Sequence, residues 1–402
     1  MSLFISQKAR SISPSPTLAI DAKFKQMKQD GIPVVGFGAG EPDFNTPENV
    51  KNAGIEAIKN NFTKYTPASG MLELKKSICK KFKNDAGLDY KPENIVVSNG
   101  GKHSLSNAFI CICDPGDEVI IPAPYWVSYP EMVKIADAVP VYLDTTEETE
   151  FKFTVEQLKE HITPKTRALI LNTPSNPTGM LYTKDELKAI ADICVEHNIY
   201  VIFDEIYEKL AYEGQHFNIA ALNDDIKKLT IVVNGLAKTY SMTGWRIGYI
   251  AADAEVAKAV SSIQSHMTSN PCSIAQVAAI EALEGDQSII NEMRTEYIKR
   301  RDYMVERINS IDGLSCLNPH GAFYIFLNLK GCLGKEHYGK MINTSDELCT
   351  DILDKALVAM VPSEGFGIDG YARLSYATSM ENIITGLDRI EMYLKGECTP
   401  EK

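Results

Sequence analysis

Ala168-Leu-Ile-Leu-Asn172, Tyr200-Val-Ile-Phe-Asp204 and Leu229-Thr-Ile-Val-Val-Asn234 decide the fold. Each is a short apolar run, rich in β-branched residues, that ends on a polar side chain, as a strand buried on both faces does. Between the first two, Thr183-Lys-Asp-Glu186 fits a capping box, and Leu187, Ile190, Ala191 and Cys194 recur at helical spacing. Working outward, Asn94-Ile-Val-Val-Ser98, Glu118-Val-Ile-Ile-Pro122 and Pro140-Val-Tyr-Leu-Asp144 read as further strands. Strands alternating with helices predict an α/β domain, its mostly parallel sheet covered by helices on both faces. Ligands in such sheets sit beyond the carboxyl ends of the strands. Four polar clusters fall there: Ser98-Asn-Gly-Gly-Lys102, Asn172-Thr-Pro-Ser-Asn176, Asp204-Glu-Ile-Tyr207 and Asn234-Gly-Leu-Ala-Lys238.

Past about residue 285 the pattern changes. The charged stretch from Arg294 to Arg307 reads as a solvated or interface helix. A strand-like Gly321-Ala-Phe-Tyr-Ile-Phe-Leu327, a helix near 345–358 and Tyr371-Ala-Arg-Leu-Ser-Tyr376 follow. Three parts are expected: an N-terminal arm over 1–44, a large domain over 45–285 and a smaller α+β domain over 286–402, which the arm joins.

The 402 residues carry a net charge of −12, which disfavours non-specific nucleic-acid binding. No apolar run reaches the ~20 residues that span a bilayer. The first ten residues lack a basic segment followed by an apolar core, so a cytoplasmic protein is expected. The nine cysteines include no C-x-x-C pair, and Cys111 and Cys113 read as buried or free thiols rather than metal ligands. Gly36-Phe-Gly-Ala-Gly-Glu41 fails the G-x-G-x-x-G spacing and runs into Pro42, against a dinucleotide site. The turn at 98–102 is no Walker loop.

Several strand-end residues suit a cofactor site, although each alone has a plainer reading. Lys238 follows a buried strand; a desolvated amine there suits Schiff-base chemistry, and otherwise it is a surface lysine. Asp204 ends an apolar strand, where a carboxylate is costly unless it meets a cation such as a protonated pyridine nitrogen; otherwise it caps a helix. Tyr207 shares a helical face with Asp204, or simply packs in the core. Gly100 and Gly101 let a phosphate approach the free N–H groups of a helix start, with Arg246 as a second anchor. Arg373 has the two-pronged geometry for a carboxylate.

Gly38-Ala-Gly-Glu-Pro-Asp-Phe44, Lys64-Tyr-Thr-Pro67, Pro124-Tyr-Trp126, Asn176-Pro-Thr-Gly179, Asp204-Glu-Ile-Tyr207, Ala237-Lys238, Gly244-Trp-Arg-Ile-Gly248 and Ala372-Arg-Leu-Ser375 occur in this order. Over about residues 10–395 the chain resembles the class I pyridoxal-phosphate aminotransferases of fold type I, most closely the bacterial aspartate aminotransferase subgroup. The resemblance implies a seven-stranded sheet, pyridoxal 5'-phosphate as cofactor, amino-acid and 2-oxo-acid substrates, no metal and a homodimer. It implies that Lys238 is the amine joined to the cofactor and later its proton carrier. Asp204 would pair with the ring nitrogen, Tyr207 and Asn176 would bond the ring oxygen, and Trp126 would stack on the ring. Gly101, Lys102 and Arg246 would hold the phosphate, with Tyr65 reaching the neighbouring subunit's phosphate. Arg373 would bind the substrate α-carboxylate, helped by Gly40 and Asn176. Lys102 would also face a distal carboxylate, with Ser15 and Thr17 adding hydroxyls, which favours aspartate and glutamate. Alanine, aromatic or sulfur amino acids are the alternative donors. Two departures stand out. Ser13 replaces a lysine that accompanies prephenate use, and Gly235 replaces a hydroxyl residue three before the lysine.

Overall fold

The computed structural model describes residues 4–14 and 16–398. Ser15 lies outside the described residues, as does the side chain of Thr17, so their expected hydroxyl contacts have no structural account.

A seven-stranded sheet organises the larger part of the chain. Its order is Ile95–Ser98, Gly248–Ala251, Thr230–Gly235, Tyr200–Asp204, Thr166–Asn172, Glu118–Ala123 and Val139–Asp144. Only Gly248–Ala251 runs antiparallel to its neighbours; it is the strand that the residue pattern does not mark.

Alternation along the strands sorts the core into two layers. Leu169, Leu171, Val201, Phe203 and Val232 face one side, where Leu72–Ala86, Lys184–Glu196 and Ser273–Glu284 cover them. Ala168, Ile170, Ile202, Ile231 and Val233 face the other, under Gly101–Ile112, Tyr129–Ile135 and Ala254–Met267. The expected capping box is present, with Thr183 Oγ1 accepting from the Glu186 N–H and Glu186 Oε2 from the Thr183 N–H.

A second core is built on an antiparallel sheet of Val361–Pro362, Tyr371–Ser375 and Tyr324–Asn328. Of the two readings of the charged stretch, solvated or interface helix, the helix Ser288–Asn309 corrects the first, because one face of it is buried in this core. Ile290, Met293, Tyr297, Arg301, Met304 and Ile308 recur every three or four residues and are buried. The charges that dominate its sequence lie mostly on its other faces, and buried Arg300 pairs with Asp43 at 2.8 Å. Near the N-terminus, Val35–Gly36 pairs in parallel with Val358–Ala359. No helix among the described residues is long and apolar enough to cross a membrane.

Candidate active site

Strand ends of the large sheet, the segment 38–41 and the strand Tyr371–Ser375 enclose one cavity of about 450 Å³. Lys238 reaches it from the turn after Thr230–Gly235, and its amine donates to the Gly40 carbonyl. Burial pushes this amine down to about 8; Glu41 and Asp204 oppose the shift, and Arg373 and Arg246 add to it.

Asp204 ends the strand Tyr200–Asp204 and is buried. Its Oδ2 accepts from the Tyr129 hydroxyl at 2.7 Å and its Oδ1 from the Ile206 N–H at 3.2 Å. Burial pushes Asp204 up to about 6 despite both bonds. After this strand the chain passes through a turn at Ile206 and Tyr207 rather than the helix expected from sequence. The Tyr207 hydroxyl meets that of Tyr324 at 3.0 Å.

One end of the cavity is made for an anion. Gly101–Ile112 starts there, after Gly100 at φ 89°. A Cβ on Gly100 would lie 2.2 Å from Arg246 Nη2, so only glycine lets the guanidinium sit against this helix start. Arg246 is held by Nη1 donating to the Thr243 carbonyl at 2.9 Å. At Gly235 a Cβ would stand 2.9 Å from the Ile247 carbonyl oxygen. A side chain at this position, such as the hydroxyl residue of the resembling sequences, would require the Ile247 segment to shift.

The other end is made for carboxylates. Buried Arg373 donates through Nη1 to Asn176 Oδ1 at 3.1 Å and through Nη2 to the Gly38 carbonyl at 2.9 Å. Its Cζ lies 4.5 Å from the centroid of the Tyr324 ring. Its Nε is buried without a partner. Back at the helix start, beside Arg246, the Lys102 amine sits 4.9 Å from the Trp126 ring, and desolvation, helped by Arg246, lowers its pKa. Trp126 meets Tyr129 edge-on at 5.4 Å.

Lys238, Asp204, Tyr207, Asn176 and Trp126 thus line one cavity with Gly40, Gly101, Lys102, Arg246 and Arg373. Tyr65 does not line it; its side chain is 92% exposed elsewhere on the chain. Asn172, from one of the four strand-end clusters, lines it too, as do Tyr129 and Tyr324, which sequence did not single out for the site.

A buried carboxylate facing an amine of lowered pKa, between an anion cradle and a guanidinium, defines a protein that handles amino acids through a carbonyl-bearing phosphate cofactor. The class I and II aminotransferase family model matches residues 32–390, and the chain belongs to that family. An aspartate aminotransferase of Geobacillus stearothermophilus is 47% identical, aligned over 98% of this chain and 100% of its own. An aspartate/prephenate aminotransferase of Nitrosomonas europaea is 45% identical over 97% of this chain and 99% of its own. The crystal structure of an aspartate aminotransferase from Rhizobium meliloti superposes with a TM-score of 0.95 at 42% identity, covering 98% of this chain and 99% of that one. The aspartate aminotransferase from Thermus thermophilus with maleate gives 0.92 at 40% identity, covering 98% and 100%.

Aminotransferases of this class use pyridoxal 5'-phosphate. The residues present fit it. Asp204 is a buried carboxylate suited to a protonated ring nitrogen, and Lys238 is an amine kept near 8 for the aldehyde. Gly100, Gly101 and Arg246 form a cradle that a Cβ would fill.

Proposed function

We propose that this chain transfers the amino group of L-aspartate to 2-oxoglutarate, giving oxaloacetate and L-glutamate in two half-reactions that share one site. The observation that carries the reading is that Lys238, with its amine near 8, shares a cavity with Asp204, Arg373 and Lys102. Pyridoxal 5'-phosphate supplies an aldehyde that condenses with amines and a ring that takes up an electron pair.

The chain's own groups do the rest. The Gly101 helix start and Arg246 hold the phosphate. Asp204 holds a proton at the ring nitrogen, Tyr207 and Asn176 bond the ring oxygen, and Trp126 covers the ring face. Arg373 grips the substrate α-carboxylate with its two-pronged guanidinium, beside Asn176 and Gly40. Lys238 would take the proton from the substrate Cα as the neutral amine and give it back as the ammonium, both forms being accessible to an amine near 8 at neutral pH. Lys102 selects a dicarboxylate, because its ammonium on the cavity lining beside Trp126 pairs with a distal carboxylate that a neutral side chain lacks.

The active protein is read as a cytoplasmic homodimer. Support comes from a stretch that exposes Ile55, Ile58, Phe62, Tyr65 and Leu72 together, with Tyr65 available to a partner's phosphate end. The division at 44/45 and 285/286 is read from the change in sequence pattern.

A panel of amino donors with 2-oxoglutarate as acceptor tests the proposal. Aspartate should exceed alanine, aromatic and sulfur amino acids in kcat/KM by roughly 100-fold, the scale of a lost charge pairing. A higher value for any of those donors would replace the proposal with that substrate.

A further inference from the structure

Asp204 is followed by a second buried acid that faces the opposite way. Ile202 and Asp204 lie on the side of the sheet that holds Tyr129, whereas Phe203 and Glu205 lie on the other, beside His216. Glu205 is 1% exposed. Its Oε2 accepts from His216 Nε2 at 2.9 Å and from Asn218 Nδ2 at 2.8 Å, and its Oε1 from Asn234 Nδ2 at 3.1 Å. Burial opposes its ionisation, but His216, Lys81 and Asn234 outweigh it and hold the carboxyl below its usual range. An ionised carboxylate only accepts, so His216 carries its proton on Nε2.

Glu205, Glu208 and His216 offer three ligand atoms within 4.8 Å of one another. A metal is not the reading, because the Lys81 ammonium already pairs with Glu208 and favours the Glu205 charge. The local cation is a side chain.

The bond from Asn234 gives Glu205 its meaning. Asn234 opens the turn that ends at Lys238, and its Oδ1 accepts from the Gly235 N–H at 2.7 Å. The Glu205 N–H donates to the Val233 carbonyl at 3.0 Å. Backbone and side chain of one residue therefore tie the strand end bearing Asp204 to the strand end leading to Lys238. We infer that Glu205 is a positioning residue, a clamp that sets Asp204 at a fixed place relative to Lys238. The inference rests on the roles proposed above for Asp204 and Lys238.

A double-mutant cycle tests it on the holoenzyme. Glu205→Gln keeps the volume but turns an NH₂ toward a donor, so at least one of the three bonds is lost. The readout is the dissociation constant of pyridoxal 5'-phosphate, followed by absorbance. Glu205→Gln should weaken binding about 10-fold in the wild-type background and at most about 2-fold beside Asp204→Ala, where no carboxylate remains to misplace. Equal factors in both backgrounds, or less than 2-fold in the first, overturn the clamp. Asp204→Ala alone leaving cofactor binding unchanged would overturn the proposed role of Asp204 itself. If Glu205→Gln does not fold, Asn234→Ala breaks the inter-strand bond from its other side and carries the same cycle.

Discussion

Tyr129→Phe is the sharpest test of how Asp204 is held. The substitution removes one oxygen and keeps the ring, so the edge-on contact with Trp126 at 5.4 Å stays. What is lost is the 2.7 Å hydrogen bond from the Tyr129 hydroxyl to Asp204 Oδ2. A hydrogen bond to a charged group contributes ~1.5–3 kcal/mol, roughly 10- to 100-fold in an equilibrium constant. Asp204 already stands at about 6 because it is buried, and the Tyr129 bond is the largest of the contributions holding it down. Without that bond the carboxyl titrates higher. The acid limb of cofactor binding therefore moves to higher pH, and at pH 7 the cofactor binds roughly 10-fold or more weakly. Absorbance titrations with pyridoxal 5'-phosphate between pH 5 and 9 measure both quantities. A dissociation constant within 2-fold of wild type, with an unmoved acid limb, would refute the view that this bond keeps Asp204 ionised.

Cofactor-free Lys238→Met should melt above cofactor-free wild type at pH 7, by on the order of 2 kcal/mol after the lost bond to Gly40 is counted. The amine's folded value, about 8, lies below its free value of 10.5, so its cost is full below pH 8 and disappears as pH rises toward 10.5. Thermal melts across pH 7 to 10.5 should show the gap closing; a constant gap contradicts the assignment. Gly100→Ala places a Cβ 2.2 Å from Arg246 Nη2 at φ 89°, and should cost ~1–3 kcal/mol of stability and at least about 10-fold in phosphate affinity, read by melting and by inorganic phosphate binding. Lys102→Ala should lower kcat/KM for aspartate roughly 10- to 100-fold while changing that for alanine far less. Equal losses would remove its role in selection.

The central strands were legible because a strand buried on both faces must be continuously apolar, and the polar residue ending it points straight at the rim; the edge strand Val139–Asp144 showed through its β-branched and aromatic residues instead. Gly248–Ala251 was not, since four residues beginning with glycine carry no strand pattern of their own. Its place comes from pairing on both sides. Asp204 could be singled out because a carboxylate ending an apolar strand needs a partner. The identity of that partner was hidden: Tyr129 lies 75 residues away in Ser128-Tyr-Pro130 and is indistinguishable there from a packing tyrosine. Tyr324 was hidden for a related reason. It sits in a run of aromatic and apolar residues, and only the fold brings its hydroxyl to Tyr207. The buried face of Ser288–Asn309 was masked by its charges, although the spacing of Met293, Tyr297, Met304 and Ile308 was in the sequence.

Close backbone approach at Gly100, Gly235 and Gly248 has an evolutionary consequence. At each of them a single added carbon would come within 3.0 Å of a neighbour: Arg246 for Gly100, Ile247 for Gly235 and the Gly101 nitrogen for Gly248. That wall is tight: a Cβ at Gly248 or Gly235 would press on backbone, and Gly100 at φ 89° favours glycine, so a change at any of them requires its neighbours to shift. Lys102, Trp126 and Tyr324 line the same chamber with side chains on separate elements, where a substitution need not move the backbone. An engineer seeking a new amino donor should vary those side chains and leave the close-packed glycines untouched.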